Sequence, residues 1–390
     1  MFRKRLRQSI LLVLTIAFFI MALPAHLFHG APTYKITDLG IETEPLTSLS
    51  NPPISALNDR GEIAGTIQVE GVWNAFFWSG SGGRRVLELP DSTGARALHL
   101  NNHSVVTGVY TDLEGESRSF AWKIDPSGQD SLAIGFPGTA GMAIDDQGRV
   151  LGGFEERGRR HAFIWSASEG MSMLEVPEGR RVVGAAMTPS GEALITARAR
   201  ERIQYTLFFL ERGGALRELG QEFPLAGGAL DMNAKGEWVG ARRMGGGPSR
   251  GPWGARKAIL GNSQGEFQDL PAERAQTSAA NGINDKGQIV GMVRSWSRFE
   301  EIAVWLLGFV DSRFDTRFVP RFRQRASTLA VLWKDGELID LNDLIPLESG
   351  WIVEEALDIN NSGQIAGSGK FEGKSRLFLM SPIERIAKAE

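Results

Sequence analysis

The chain has 390 residues, 43 Lys and Arg against 46 Asp and Glu, a formal charge of −3, and no cysteine. The mildly acidic balance gives no global attraction to nucleic acid, and a chain without cysteine cannot be a disulfide scaffold. With 47 Gly, 21 Phe and 10 Trp in a 42% hydrophobic composition, it can bury a sizeable core built from short strands and turns, with almost no helix.

The first element is a targeting segment, residues 1–31. Arg3, Lys4, Arg5 and Arg7 precede an uncharged apolar run from Ser9 to Ala25, which is the arrangement of a secretory signal with cleavage after Ala25. The run, about 17 residues, also approaches the length of a bilayer span, so an uncleaved signal anchor is the alternative. Either way the rest of the chain is expected outside the cytoplasm: secreted, periplasmic or anchored, with membrane contact only through this segment. Loss of those four cations takes the formal charge from −3 to −7.

Residues 34–40, YKITDLG, read as a strand standing alone. Seven copies of one unit follow, aligned on a turn residue that is Asn58, Asn101, Asp145, Thr188, Asn233, Asn284 or Asn360. The steps between them are 43, 44, 43, 45, 51 and 76 residues. Four positions before that residue the side chain is small in six copies (Ala97, Gly141, Gly184, Ala229, Ala280, Ala356), as an innermost strand crowded around a channel requires. Three positions after it comes Gly in all copies but one, where Ser104 stands. An Asx side chain that caps its own turn, followed by a residue free to take positive φ, predicts a tight hairpin between strands a and b. Strand b carries Gly65, Gly108, Gly152, Gly240, Gly291 and Gly367, replaced by Ile195 in the fourth copy.

Strand c reads NAFFW, SFAW, HAFIW, TLFF, KAIL, LAVLW and RLFLM, its large apolar residues placed to wedge between neighbouring sheets. Strand d reads RRVLELP, DSLAIGF, GMSMLEV, GALRELG, GEFQDLP and GELIDLN, and the last copy lacks one. The orphan strand at 34–40 can supply it. The expected fold is therefore all-β: a seven-bladed β-propeller of four-stranded antiparallel blades over residues 32–382, closed by the N-terminal strand and followed by a short tail, 383–390. An open β-solenoid is the competitor that the orphan strand argues against.

His161-Ala162-Phe163, followed by Trp165 and preceded by a D-D-Q-G-R-V-L-G-G run, resembles the HAF repeat of bacterial extracellular proteins. The resemblance runs from about Tyr34 to Met380, weakest in copies four and five, which lack the strand-c Trp. It implies an extracellular repeat protein and brings no ligand or activity with it.

The long steps mark two insertions at equivalent places between strands b and c. In the sixth copy, 292–328 contains Trp296 and Phe299, Ile302, Ala303, Leu306, Leu307 and Val310 at helical spacing, predicting a capped amphipathic helix. Arg313, Arg317, Arg321 and Arg325 follow at intervals of four, the first three each followed by Phe. In the fifth copy a Gly/Pro loop carries Arg242, Arg243, Arg250, Trp253 and Arg256 with no acid. Together these define a candidate patch for an anionic polymer, an envelope surface or a partner protein, since Arg forks bind anions and aromatic rings stack. The plainer alternative is a helix that seals one end of the disc, with its arginines solvated.

Catalytic signals are weak. Gly247-Pro248-Ser249-Arg250-Gly251 fits G-x-S-x-G, yet no His follows His161 and a Gly/Pro loop is no nucleophile elbow. His99 and His103 lie across a strand and its turn, a poor zinc pair. Asp231-x-Asn233 and Asp358-x-Asn360 resemble half of a calcium loop without its closing acid, so turn chemistry accounts for them. No cofactor is implied. The residues favour a non-enzymatic exported scaffold; a glycan hydrolase or lyase would need two carboxylates gathered within about 10 Å at the channel mouth, and a structural envelope protein is the third reading.

Overall fold

In the computed structural model the described residues are 33–43, 53–125, 127, 130–156, 159–177, 180–199, 205–212, 214–220, 225–244, 256–272, 275–295 and 327–383. They form seven four-stranded antiparallel sheets arranged as a seven-bladed β-propeller. Blades 1 to 3 take strands a to d from Ile54–Leu57, Ile63–Val69, Val72–Ser79 and Gly83–Val86; Ser92–Leu100, Val105–Asp112, Ser117–Lys123 and Ser131–Pro137; Thr139–Ile144, Val150–Glu156, Arg159–Ser166 and Gly170–Leu174. Blades 4 and 5 use Arg180–Met187, Ala193–Ala199, Tyr205–Leu210 and Leu216–Glu218; Leu225–Met232, Trp238–Arg243, Arg256–Gly261 and Phe267–Asp269. Blade 6 uses Ala275–Ile283, Ile289–Ser295, Ser327–Lys334 and Glu337–Asp340, and blade 7 takes Trp351–Ile359, Ile365–Phe371 and Lys374–Pro382 from the C-terminal end.

The fourth strand of blade 7 is Tyr34–Glu42, which pairs antiparallel with Lys374–Pro382 in the register Lys35 to Ser381 and Thr37 to Leu379. The orphan strand of the sequence thus closes the ring. Arg376 fastens it, with its guanidinium 2.5 Å from Asp38 and 2.9 Å from Glu42. Behind it, Leu39 and Ile41 pack with Leu377 and Leu379 of blade 7 and with Ile54, Phe76 and Trp78 of blade 1 in one cluster. Every larger cluster likewise joins two neighbouring blades, such as Ala75, Phe77 and Leu87 with Ala97, Val106 and Phe120. Core burial therefore lies between sheets, and each large side chain wedged there contributes on the order of 1.5–3 kcal/mol. No blade can bury its faces alone.

The glycine column of strand b has a single cause. Strand a shifts register just before its turn in six blades, between Ile54 and Ala56, Ala97 and His99, Gly141 and Ala143, and so on to Ala356 and Asp358. That β-bulge turns a carbonyl onto strand b: a Cβ on Gly65, Gly108, Gly152 or Gly367 would sit 2.1, 1.9, 2.3 or 2.3 Å from it and against the strand-c Phe ring. In blade 4 the shift falls two residues earlier, between Val182 and Gly184. No carbonyl then crowds the position, and Ile195 occupies it, paired with Ala185.

The missing tryptophans of copies four and five are also resolved. In blade 5 the indole has moved to strand b: Trp238 is fully buried, pairs with Gly261 and donates to the Asn262 carbonyl at 2.9 Å. In blade 4 Leu210 holds the place, opposite Ala193, and the preceding Phe209 has the Arg217 guanidinium 5.6 Å over its ring. The predicted helix at 299–310 and most of insertion 292–328 lie outside the described residues, as do residues 1–31 and most of the tail.

Candidate functional site at the channel mouth

Each a-to-b turn is built as the sequence predicts. In blade 1 Asn58 Oδ1 accepts from the amides of Arg60 and Glu62 at 3.0 Å, and Gly61 takes φ +74°. The same side chain also reaches the next blade, which the turn motif does not reveal. Asn58 Nδ2 donates to Glu62 at 2.7 Å and to the Asn101 carbonyl at 3.0 Å. Asn101 donates to the Asp145 carbonyl at 2.7 Å, Asn233 to Asn284 at 3.1 Å, Asn284 to Asn360 at 3.0 Å, and Asn360 back to Asn58 at 2.9 Å. An amide satisfies both directions because it has an acceptor for its own turn and two donors, one spare for the neighbour.

The following residue forms a second ring. The amides of Asp59, Asn102, Asp285 and Asn361 donate to side-chain oxygens of Asn102, Asp146, Asn361 and Asp59, all at 2.8–2.9 Å. Along the arc from blade 6 through 7 and 1 to blade 3 the order is Asp285, Asn361, Asp59, Asn102, Asp146. Each Asn amide bridges two carboxylates, Asn361 at 2.9 and 3.1 Å and Asn102 at 3.2 and 3.4 Å. The alternation keeps like charges apart. A polar column immediately after the turn Asn was the signal in the sequence for this ring.

Beneath it, two positions before the turn residue, His99, Asp231 and Asp358 accept the amides of Ile144, Ile283 and Leu57 in the next blade, at 3.3, 2.8 and 2.7 Å. The second oxygen of each Asp accepts its own following amide, from Met232 and Ile359, at 2.7 Å. Burial raises Asp231 to about 6, with Asp285 adding to it, and raises Asp358 well above its ordinary value, with the Asp231 charge adding to it. Burial lowers His99 to about 4, so its imidazole is neutral. Glu355, deeper in blade 7, is raised to about 7 by burial and accepts from Asn281 at 3.2 Å. His99 and Asp231 are half-open to the lumen although protein surrounds them.

His99, Asp231 and Asp358, together with parts of all seven blades, line a cavity of about 100 Å³ at the mouth of the channel. Among the described residues five carboxylates face it (Asp59, Asp146, Asp231, Asp285 and Asp358) and no Lys or Arg does. The mouth is an acidic throat on the face of the a-to-b turns. It lies at the opposite end of the strands from the b-to-c connections. Among the described residues no group of three or more His, Asp or Glu has the arrangement of a metal site, and the half-loops at Asp231 and Asp358 serve as turn and blade links.

Of the arginine patch, Arg242, Arg243 and Arg256 are described; Arg250, Trp253, Trp296, Arg313, Arg317, Arg321 and Arg325 lie outside the described residues. Arg242 is engaged by Asp269 of strand d at 2.6 and 2.8 Å, and Lys257 joins at 3.0 Å, so Asp269 is driven down to about 2, mainly by Arg242. Arg243 and Arg256 are cross-strand partners, and burial and then Arg243 hold the Arg256 guanidinium below its ordinary value.

No protein-family model and no curated protein matches the chain. Among solved structures it is similar to the β-propeller domain of the Trilobed protease from Pyrococcus furiosus, described as having an open velcro topology, at 11% identity and a TM-score of 0.53, covering 87% of this chain and 96% of that one. It is also similar to the Pyrococcus horikoshii acylaminoacyl peptidase, at 10% identity and a TM-score of 0.52, covering 88% of this chain and spanning 54% of the peptidase. At such identity the likeness is one of fold: the chain is a β-propeller.

Proposed function

We propose that the chain is an exported, non-enzymatic binding scaffold of the extracellular HAF-repeat kind, displaying ligand-contacting loops and grooves on a rigid closed ring. The observation that carries this reading is the state of the channel mouth. Its cavity of about 100 Å³ is far below the roughly 300–1,000 Å³ of pockets that enclose a small molecule. Its innermost carboxylates, Asp231 and Asp358, have both oxygens engaged by backbone amides: one ties blade 5 to 6 or blade 7 to 1, and the other accepts the amide that follows in the same strand. Groups held for closure are poorly placed for proton transfer to a substrate.

The second reading, a glycan hydrolase or lyase, is favoured by one observation. Asp231 and Asp358 lie near enough for the charge of one to raise the other, and paired carboxylates with separated proton affinities are what such chemistry uses. The test is a panel of envelope and plant polysaccharides offered to the purified protein, following both retention and chain cleavage. Retention without cleavage supports the scaffold. Cleavage that disappears in Asp231→Asn and Asp358→Asn would replace it with the enzyme.

A further inference from the structure

Among the described residues the two turn rings are both missing at one junction, between blades 4 and 5; between blades 3 and 4 Asp145 has no side-chain amide to donate, and the link is the Asp146 amide on the Pro189 carbonyl at 3.1 Å. At blade 4 the turn Asn is Thr188. Its hydroxyl takes over the turn by accepting the Glu192 amide at 3.1 Å and pairs locally with Ser190 at 3.0 Å. A hydroxyl has no second donor to send across. The next position is Pro189, which has no N–H, and its counterpart in blade 5 is Ala234, which has no side-chain acceptor. Among the described residues no hydrogen bond joins these two turns.

At this break the structure has a groove of about 500 Å³ between blades 4 and 5, open on the face of the a-to-b turns. Its size falls within the range of small-ligand sites. The same two blades lack the strand-c tryptophan, and the groove is floored by Phe209. Arg217 lies over that ring and donates to the Ser263 carbonyl at 2.8 Å, fixing the floor across the gap. The walls carry Arg212 and Lys235 beside Glu192 and Glu211. Glu192 is held below its ordinary value chiefly by the Ser190 hydroxyl, and then by Thr188, so it is ionised. Arg212 stands only 3.8 Å from Glu192, with its side chain 68% exposed. Lys235 is exposed and pairs with no carboxylate among the described residues.

Resting on the scaffold reading, we infer that this groove binds an acidic sugar, a uronic-acid unit of an extracellular polysaccharide. The chemistry matches in kind. Arg212 and Lys235 supply donors for a carboxylate, Glu192 and Glu211 accept from ring hydroxyls, and the Arg217 side chain, lying over the buried Phe209 ring, offers one flat surface to a sugar face. A purely anionic ligand would meet no use for the two glutamates. The acidic throat, with five carboxylates and no cation, repels the same ligand, so the two features of this face are distinct.

The test is calorimetric titration of the full exported chain with a uronic-acid tetrasaccharide, against a neutral glucan tetrasaccharide and tetraglutamate. The inference predicts that the uronate binds at least ten-fold more tightly than either comparison ligand. It predicts that Arg212→Glu and Lys235→Glu each weaken it at least ten-fold, and that Ser263→Trp, which fills the groove from an exposed turn, abolishes it with unchanged melting temperature. Equal binding of tetraglutamate, or no binding of the uronate, overturns the inference. Uronate binding that survives all three variants but falls in Arg243→Glu overturns the groove and leaves the scaffold standing, whereas cleavage of the tetrasaccharide overturns the scaffold reading itself.

Discussion

Asn360 donates its side-chain amide to the backbone carbonyl of Asn58 at 2.9 Å, joining the last blade to the first across 302 residues of sequence. The same amide donates to Gln364 at 2.8 Å, and its oxygen caps its own turn. Asn360→Asp keeps the cap, removes both donors and sets a carboxylate oxygen against the Gln364 side-chain oxygen and the Asn58 carbonyl, which retains only the Gly61 amide at 3.0 Å. The expected loss is about 1–3 kcal/mol in urea unfolding. Thr188→Ala, whose hydroxyl bonds only within its own turn, loses only local bonds and is expected to cost less than Asn360→Asp.

The bulge of strand a explains the glycines of strand b, and it predicts their intolerance. Gly367→Ala places a methyl 2.3 Å from the Glu355 carbonyl and 2.5 Å from the Phe378 ring. The blade must shift, at a cost of about 3 kcal/mol or more. Ile195→Ala in blade 4 truncates a fully buried side chain where no such carbonyl stands, and its expected cost is that of a cavity, about 2–5 kcal/mol. Thermal unfolding measures both losses, and a second-site Phe378→Leu should not rescue Gly367→Ala, because the Glu355 carbonyl still stands 2.3 Å from the added methyl.

Much of this architecture is legible in the sequence, for reasons that particular residues make plain. The seven Asn-type turns, the small residues of strand a and the lone strand at 34–40 each answer to a local constraint, so they appear as columns. Ile195 departs from the glycine column, and only the register shift between Val182 and Gly184 supplies its reason. The site was less legible. Asn58 and Asn101 read as turn caps because the cap is local, whereas their bonds to the next blade depend on two hairpins 43 residues apart. Pro189 and Ala234 carry the break between blades 4 and 5, and in a sequence they are merely two small departures from a polar column.

Proton linkage gives a further expectation. Glu355 is raised from 4.5 to about 7, so the folded state holds a proton that the unfolded state has released between those values. Its contribution is present below about pH 4.5 and is lost as the pH rises through 7. Glu355→Gln removes that loss. Relative to the natural chain the variant should gain stability between pH 5 and pH 8, by up to roughly 3 kcal/mol. A pH-independent difference in urea midpoints would show that Glu355 is not held protonated. His99, lowered to about 4, acts in the opposite sense, losing stability as the pH falls from 6.5 through 4.

Truncation of the closing strand's core residue should weaken the whole ring. Ile41 is 1% exposed and packs in the cluster shared by blades 7 and 1, so Ile41→Ala is expected to cost about 2–5 kcal/mol. Unfolding should remain a single transition, since no blade buries its faces without its neighbours. Two separated transitions in calorimetry would show that blade 7 frays independently.

The most direct measurement is a crosslink between the two ends of the chain, made clean by the absence of native cysteine. Lys35 and Ser381 face one another in the register of the closing strand. The double substitution Lys35→Cys and Ser381→Cys should form an intramolecular disulfide on mild oxidation and raise the urea midpoint. The pair Lys35→Cys and Met380→Cys, slipped by one residue to the other face, should not. Failure of the first pair to close within one chain, or closure of both pairs alike, would contradict a propeller completed by its first strand.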